Sequence, residues 1–309
     1  MKNTVFLFAG QGSQYVGMGK DLIGSFPQLK SIYDTASDIV GFDVFEKCCS
    51  GSEEELAQTI VSQPAIMATS IVAYDAAVLS GIDCSAVAGH SLGEYAAMVA
   101  SGILSLEDGF KVIKARAEAM QKAASGSSGA MCAVIGKTPA EIEEICSSVD
   151  GYVVPVNYNS PAQTVIAGET EALDKAAEKL SSLSAKVIKL KVSSAFHSKL
   201  MQPAADEFKE NIKGITFNKP LFSFYSNLTG KELTDFSDMP EKLAQHIVSP
   251  VKFTSELESL YVQGYTKFVE LGPNKVLTGL VKKTLKGVTA VNIEDIKTLE
   301  KAVEAVTNE

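Results

Sequence analysis

Ser85-Ala86-Val87-Ala88-Gly89-His90-Ser91-Leu92-Gly93-Glu94-Tyr95 is a short apolar run that breaks into Gly-His-Ser-Leu-Gly and then into a helical pattern. It reads as a nucleophile elbow: a strand, a sharp turn carrying a serine, and a helix, with small residues two before and two after the serine so that the turn can close. Gly89 and Gly93 hold those two places. The serine hydroxyl then stands clear of the backbone at the positive end of a helix, where free N–H groups stabilise an oxyanion. Five residues of this kind also occur by chance, so the weight rests on the strand before them and the helix after.

Composition narrows the classes. The 309 residues suffice for one large domain with an insertion, or for two modest domains. Hydrophobic content of 46% and charged content of 21% are those of an ordinary globular protein. A net charge of −9 argues against a nucleic-acid binder, which needs a basic surface for phosphate. The opening run, residues 1–10, carries one positive charge and is too short for a signal core or a membrane span, so it reads as a first strand. Five scattered cysteines (Cys48, Cys49, Cys84, Cys132, Cys146) with no C-x-x-C point to reduced thiols in the cytoplasm, not to disulfides or a metal site. None has an elbow around it. The composition is compatible with a monomer.

Along the chain, residues 4–9 form a buried strand that runs into the glycine-rich loop Gly10-Gln11-Gly12-Ser13-Gln14. In open α/β sheets such loops at the carboxyl ends of strands line the site. Helical patterns follow over 29–40, 53–60 and 64–79, the last with proline in its first turn, and then over 92–100 and 106–120. Residues 125–129 are a linker by composition. After it the order strand, helix, strand, strand, helix, strand over 130–192 is the ferredoxin-like βαββαβ unit. Residues 126–193 are therefore expected to be a small subdomain inserted into a parent formed by 1–125 and 194–309. Strands alternating with helices in the parent predict a mostly parallel sheet covered by helices, a hydrolase-like α/β core.

A serine needs a base within hydrogen-bond reach. Of three histidines, His90 neighbours the elbow serine and is expected to pack away from it, and His246 lies in a helical pattern. His197, in the loop Ser194-Ala195-Phe196-His197-Ser198 at the edge of the inserted unit, is the best candidate. No carboxylate is assignable as the third member of a triad; Asp174 precedes His197 but sits mid-helix on the insertion, and a backbone carbonyl could hold the imidazole instead. Arg116 is the single arginine among 28 basic residues. Lysine lacks its planar fork, which is a reason to keep arginine at one carboxylate-binding place. At about 100° per residue it falls roughly 80° from the centre of the apolar stripe of its helix, on the border of the buried face.

These pieces, together with Asn159-Ser160-Pro161, Val165-Ile166-Ala167-Gly168, Pro250-Val251 and Glu270-Leu271-Gly272-Pro273, resemble the malonyl-CoA:acyl carrier protein transacylases of fatty acid synthesis over nearly the whole chain. The resemblance implies Ser91 as nucleophile, His197 as its base, the N–H groups of Gln11 and Leu92 as oxyanion hole, and Arg116 as the grip on the malonyl carboxylate. It adds Asn159 and Phe196 to the substrate-binding set. Phe196, a ring before the catalytic histidine, resembles the form associated with malonyl over methylmalonyl; otherwise it is a packed wall of the cleft. A main-chain carbonyl orients the histidine in the family, often from a glutamine. Here that position is His246, a departure.

The resemblance further implies malonyl-CoA and acyl carrier protein as partners, no bound cofactor, and a ping-pong transfer through a malonyl-serine. An acidic carrier would need a local basic patch, for which Lys189 and Lys191, or Lys282, Lys283 and Lys286, are candidates; each cluster also reads as a solvated face. The competing readings are a trans-acting acyltransferase of a polyketide pathway, a serine thioesterase or esterase, and a carrier-binding module without chemistry.

Overall fold

The computed structural model describes residues 3–126, 129–192 and 194–307. Ser127 and Ser128 of the expected linker, and Ser193 at the expected boundary, lie outside the described residues. Among the described residues ten strands make two sheets. The strands are β1 (Thr4–Phe8), β2 (Ala86–Gly89), β3 (Gly129–Ile135), β4 (Val153–Ser160), β5 (Gln163–Glu169), β6 (Lys186–Lys189), β7 (Ser223–Ser226), β8 (Lys231–Glu232), β9 (Lys267–Leu271) and β10 (Thr289–Ile293).

The larger sheet has the order β10-β9-β1-β2-β7-β8 and is parallel from β10 to β7, with the two-residue β8 turned back antiparallel on its edge. Its central strand shows why both faces are covered. Thr4–Phe8 is buried along its length, and alternate side chains enter different cores: Phe6 and Phe8 pack in one, Val5 and Leu7 in the other. A strand apolar on both faces has no wet side, which is the condition for helices on each. Register aligns Phe8 with Gly89 on one side and Leu271 on the other. The loops after β1, β2 and β9 therefore leave the sheet at the same carboxyl edge, where such folds place ligands.

The smaller sheet is antiparallel, in the order β4-β5-β3-β6, with the helices Pro139–Ser147 and Thr170–Ser182 between its strands. Across the sheet the unit's strands run second, third, first, fourth, the interleaving that a ferredoxin-like unit requires. No helix among the described residues is long and apolar enough to cross a membrane.

One expected helix boundary shifts. The pattern over 53–60 ends at Ala57, and the next helix begins at Thr59, so Pro64 lies inside the helix Thr59–Leu79 and not in its first turn. Gln58, in extended conformation, makes the break. The ring at Pro64 forgoes a single N–H near the helix start, and the helix is buried on nearly every side from Val61 to Ala73, so packing outweighs that loss.

The elbow depends on contacts that only glycine allows. A Cβ on Gly93 would lie 2.0 Å from the Phe8 carbonyl oxygen, and one on Gly89 would lie 2.1 Å from the Gly93 carbonyl carbon. Backbone meets backbone there, so nothing can move aside. By contrast, a Cβ on Gly279, inside the helix Val276–Thr284, meets nothing within 4 Å. Gly93→Ala is expected to cost about 3 kcal/mol or more, the upper end of overpacking, whereas Gly279→Ala should add about 0.5–1 kcal/mol by removing helix-interior glycine. Urea midpoints of the two variants check both signs.

Candidate active site

Ser91 follows β2 directly and precedes the helix Gly93–Ala100. Its backbone has φ 52°, in the left-handed region that serine rarely adopts, and His197 has φ 60°. Each such residue costs on the order of 1–3 kcal/mol and persists only where the surroundings over-determine it. Both are at this one place.

The side chains converge. Ser91 Oγ lies 2.7 Å from His197 Nε2, and His197 Nδ1 lies 3.0 Å from the main-chain oxygen of His246. A carbonyl only accepts, so Nδ1 carries the ring proton and Nε2 is the bare nitrogen facing the hydroxyl. Arg116 Nη2 donates to the same Oγ at 3.1 Å. The serine hydroxyl is thus set to donate to the imidazole while accepting from the guanidinium.

Arg116 departs from expectation in depth. It is 1% exposed, not on the border of the buried face, and its guanidinium touches the Ser91 hydroxyl. The guanidinium lies over the Tyr95 ring at 5.2 Å, its Nε has no hydrogen-bond partner, and among the described residues no carboxylate pairs with it. A cation held in so dry a place with no anion turns to the available lone pair, which is that of Ser91. Burial works against the charge of Arg116.

A cleft of about 410 Å³ opens over Ser91 and His197, lined by Gln11, His90, Met120, Met131, Asn157, Leu190, Lys191 and Phe196 among others. Both sheets' segments contribute to it. Gln11 and Phe196 line it, and the N–H groups of Gln11 and Leu92 donate to no acceptor among the described residues. Asn159 is elsewhere: it is 7% exposed, and its Oδ1 accepts from His90 Nε2 at 2.7 Å, while Asn157 lines the cleft. Plain alternation would put residues 157 and 159 on one face, and the register shifts between Pro155 and Asn157 and between Tyr158 and Ser160 break it. The side chain of His246 also does not reach the cleft; only its carbonyl serves His197. The His90 ring borders the cleft and packs edge-on against Phe253. Of the expected lysine clusters, Lys189 ends β6 in an ion pair with Asp174 at 3.3 Å, and Lys191 lies beyond the strand on the cleft rim.

Residues that no motif singled out complete the surroundings. Buried Gln63, from the long helix, reaches Gln11 Oε1 at 3.4 Å and Met120 Sδ at 3.5 Å. Behind the elbow, Asn227, Glu94 and Glu256 are buried together, with Glu94 Oε2 3.0 Å from His246 Nδ1 at an angle that is not a hydrogen bond. A glutamine amid the apolar positions of a buried helix, and a glutamate on the Phe253, Leu257, Leu260 stripe, were signals available in the sequence. Among the described residues no group of three or more His, Cys, Asp or Glu could hold a metal ion.

The chain matches the family model for the acyl transferase domain over residues 5–305. It belongs to that family. It is similar to the malonyl CoA-acyl carrier protein transacylase of Bacillus subtilis (strain 168), 37% identical over all of this chain and 99% of the relative. Among solved structures it is similar to the malonyl CoA-acyl carrier protein transacylase of Clostridium perfringens, at TM-score 0.94 and 38% identity, covering 99% of this chain and 97% of that one. It is also similar to a malonyl-transacylase solved in complex with its type II polyketide synthase acyl-carrier protein, at TM-score 0.93 and 36% identity, covering 98% of this chain and 99% of that one.

Burial first, then the charges of His246 and Arg116, hold the His197 imidazole well below its ordinary 6.5; burial first holds His90 below it too. An unfolded chain's imidazole binds its proton near 6.5, so here the unfolded state takes up protons first. This contribution to stability is complete above pH 6.5 and lost as the pH falls toward the folded-state value. Histidine ring-proton NMR, assigned with His197→Gln and His90→Gln, is expected to show both rings neutral at pH 6.5; a midpoint at or above 6.5 for His197 contradicts it.

Proposed function

We propose that this acyltransferase moves the malonyl group from malonyl-CoA to the phosphopantetheine thiol of an acyl carrier protein, supplying extender units for fatty acid synthesis. The single observation that carries the reading is the meeting of Ser91, His197 and the lone buried Arg116 at one hydroxyl. In this reading residues 1–125 and 194–309 form the acyltransferase core, and 126–193 are an inserted unit that lends Met131, Leu190, Lys191 and Val192 to the cleft wall.

Ser91 Oγ attacks the thioester carbonyl as its proton passes to His197 Nε2, and the oxyanion is held by the N–H groups of Leu92 and Gln11. The C–S bond breaks, the proton on His197 goes to the departing CoA sulfur, and a malonyl ester stays on Ser91. The carrier thiol then gives its proton to His197 and attacks the ester; Ser91 leaves as alkoxide and takes that proton back. The reaction draws on its two thiol partners and no further group. The carbonyl of His246 fixes the ring without a triad carboxylate, which keeps the imidazolium a short-lived acid.

Arg116 supplies the selectivity. In the resting enzyme its guanidinium rests on Oγ; the malonyl carboxylate draws it away into a bidentate pair, freeing the hydroxyl's lone pair at the moment the thioester is seated. An acetyl group offers no such exchange. Phe196 narrows the same wall, where one added methyl is worth about 1–3 kcal/mol. The hydrolase reading is not favoured, because the relatives of like length are transacylases and the position of the triad acid is filled by a carbonyl.

Brief exposure to malonyl-CoA followed by intact-mass measurement is expected to show a malonyl adduct on Ser91 that carrier protein removes. Arg116→Ala should lower kcat/KM for malonyl-CoA about 100-fold or more, in the range for losing one partner of a buried charge pair, and raise the relative use of acetyl-CoA. Arg116→Lys should lose part of the same selectivity, since a point charge cannot form the fork. Equal losses for both acyl groups would mean that Arg116 does not hold the carboxylate.

A further inference from the structure

Asn227 lies just past β7, 136 residues along the chain from the nucleophile, yet it touches the elbow at three points. Its Oδ1 accepts from the Ser91 N–H at 2.6 Å, its Nδ2 donates to the Gly89 oxygen at 2.7 Å, and its own N–H donates to Glu94 Oε1 at 2.5 Å. One side-chain amide thus spans the turn from the residue two before the serine to the serine itself. It holds Ser91 in the left-handed conformation that the residue would not keep unaided.

The Ser91 N–H and the Gly89 oxygen set which way this amide faces, and a second residue reinforces it. Both carboxyl oxygens of Glu256 stand 2.9 Å from Asn227 Nδ2. Glu256 is fully buried, and Asn227 is its side-chain partner. A flipped amide would set oxygen against these oxygens and an NH2 against the Ser91 N–H, two repulsions in a dry site. Burial and the neighbouring Glu94 carboxyl push the Glu256 carboxyl well above the ordinary range, and a carboxyl group still presents an acceptor to the amide when protonated.

We propose that Asn227, oriented by Glu256, is a positioning residue that sets the nucleophile's backbone and thereby selects the oxyanion donors. With the Ser91 N–H committed to Asn227, the N–H groups left without an acceptor at the turn, among the described residues, are those of Leu92 and, across from it, Gln11. Buried Glu256 has a place behind the site because its oxygens accept from this amide and hold its direction together with the Ser91 N–H and the Gly89 oxygen. This inference rests on Ser91 being the acylated residue.

The test is the rate of Ser91 acylation by malonyl-CoA, followed by quenched intact mass, with KM measured alongside. Asn227→Asp removes the donors to Glu256 and Gly89 and is expected to slow acylation about 100-fold, the scale of a misplaced reacting group, with KM little changed. Adding Glu256→Gln restores a donor facing the new carboxylate, and N227D/E256Q should be about tenfold or more faster than N227D, a non-additive rescue. N227A/E256Q, which lacks an acceptor for the Ser91 N–H, should be about tenfold slower than N227D/E256Q; this comparison stands even where N227D alone does not fold. Acylation by N227D at the native rate, or equal rates for the two double variants, overturns the proposal. If the native enzyme acquires no adduct on Ser91, the reading of function fails instead, and the two failures are separate.

Discussion

Everything in the site depends on one oxygen with two partners of opposite character. Ser91 Oγ faces the bare nitrogen of His197 at 2.7 Å and the Arg116 guanidinium at 3.1 Å. In the proposed function the first contact activates the hydroxyl as a nucleophile and the second weakens it. A guanidinium buried without an anion is expensive to keep, on the order of several kcal/mol even after relaxation. The Tyr95 ring and the serine lone pair recover part of that cost. In the proposed function a substrate carboxylate recovers far more, so that what the folded protein gives up in stability would reappear as discrimination between acyl groups.

Such a site needs a rigid frame, and the fold provides it where backbone packs on backbone. The close approach of Gly93 to Phe8 and of Gly89 to Gly93 brings β1, β2 and the elbow helix to one point. The carboxyl ends of β1, β2 and β9 align there, so the Gly10–Gln11 loop and the elbow face each other across a short gap. From the far side, the carbonyl of His246 and the amide of Asn227 reach in from the part of the chain that follows the smaller sheet. Residues scattered from 11 to 256 therefore act as a unit. The two left-handed residues, Ser91 and His197, are the strained pieces that this unit holds.

Much of this was legible in the sequence because it is local. The apolar run and glycines of 85–95 specify an elbow; strand-helix alternation specifies the parallel sheet; the pattern over 130–192 specifies a ferredoxin-like unit; a lone arginine among lysines draws notice to residue 116. What periodicity could not supply is depth. Arg116 sits on the side of its stripe, and only the neighbouring Tyr95 and the elbow make that side interior. The register shift in β4 exchanged the places of Asn157 and Asn159, and no local rule marks such a shift. Asn227 occupies an ordinary turn-like stretch, Ser226-Asn227-Leu228-Thr229-Gly230, whose meaning comes entirely from a partner 136 residues away. Glu256 was the readable exception, an acid on the buried stripe of its helix.

A crystal structure of the acylated enzyme, trapped after brief exposure to malonyl-CoA, bears most directly on the central claim. An ester on Ser91 Oγ is expected, with the guanidinium of Arg116 withdrawn from that oxygen and both carboxylate oxygens of the acyl group about 2.7–2.9 Å from its nitrogens. A malonyl carboxylate turned toward solvent or toward Lys191, with Arg116 still resting on Oγ, would contradict it.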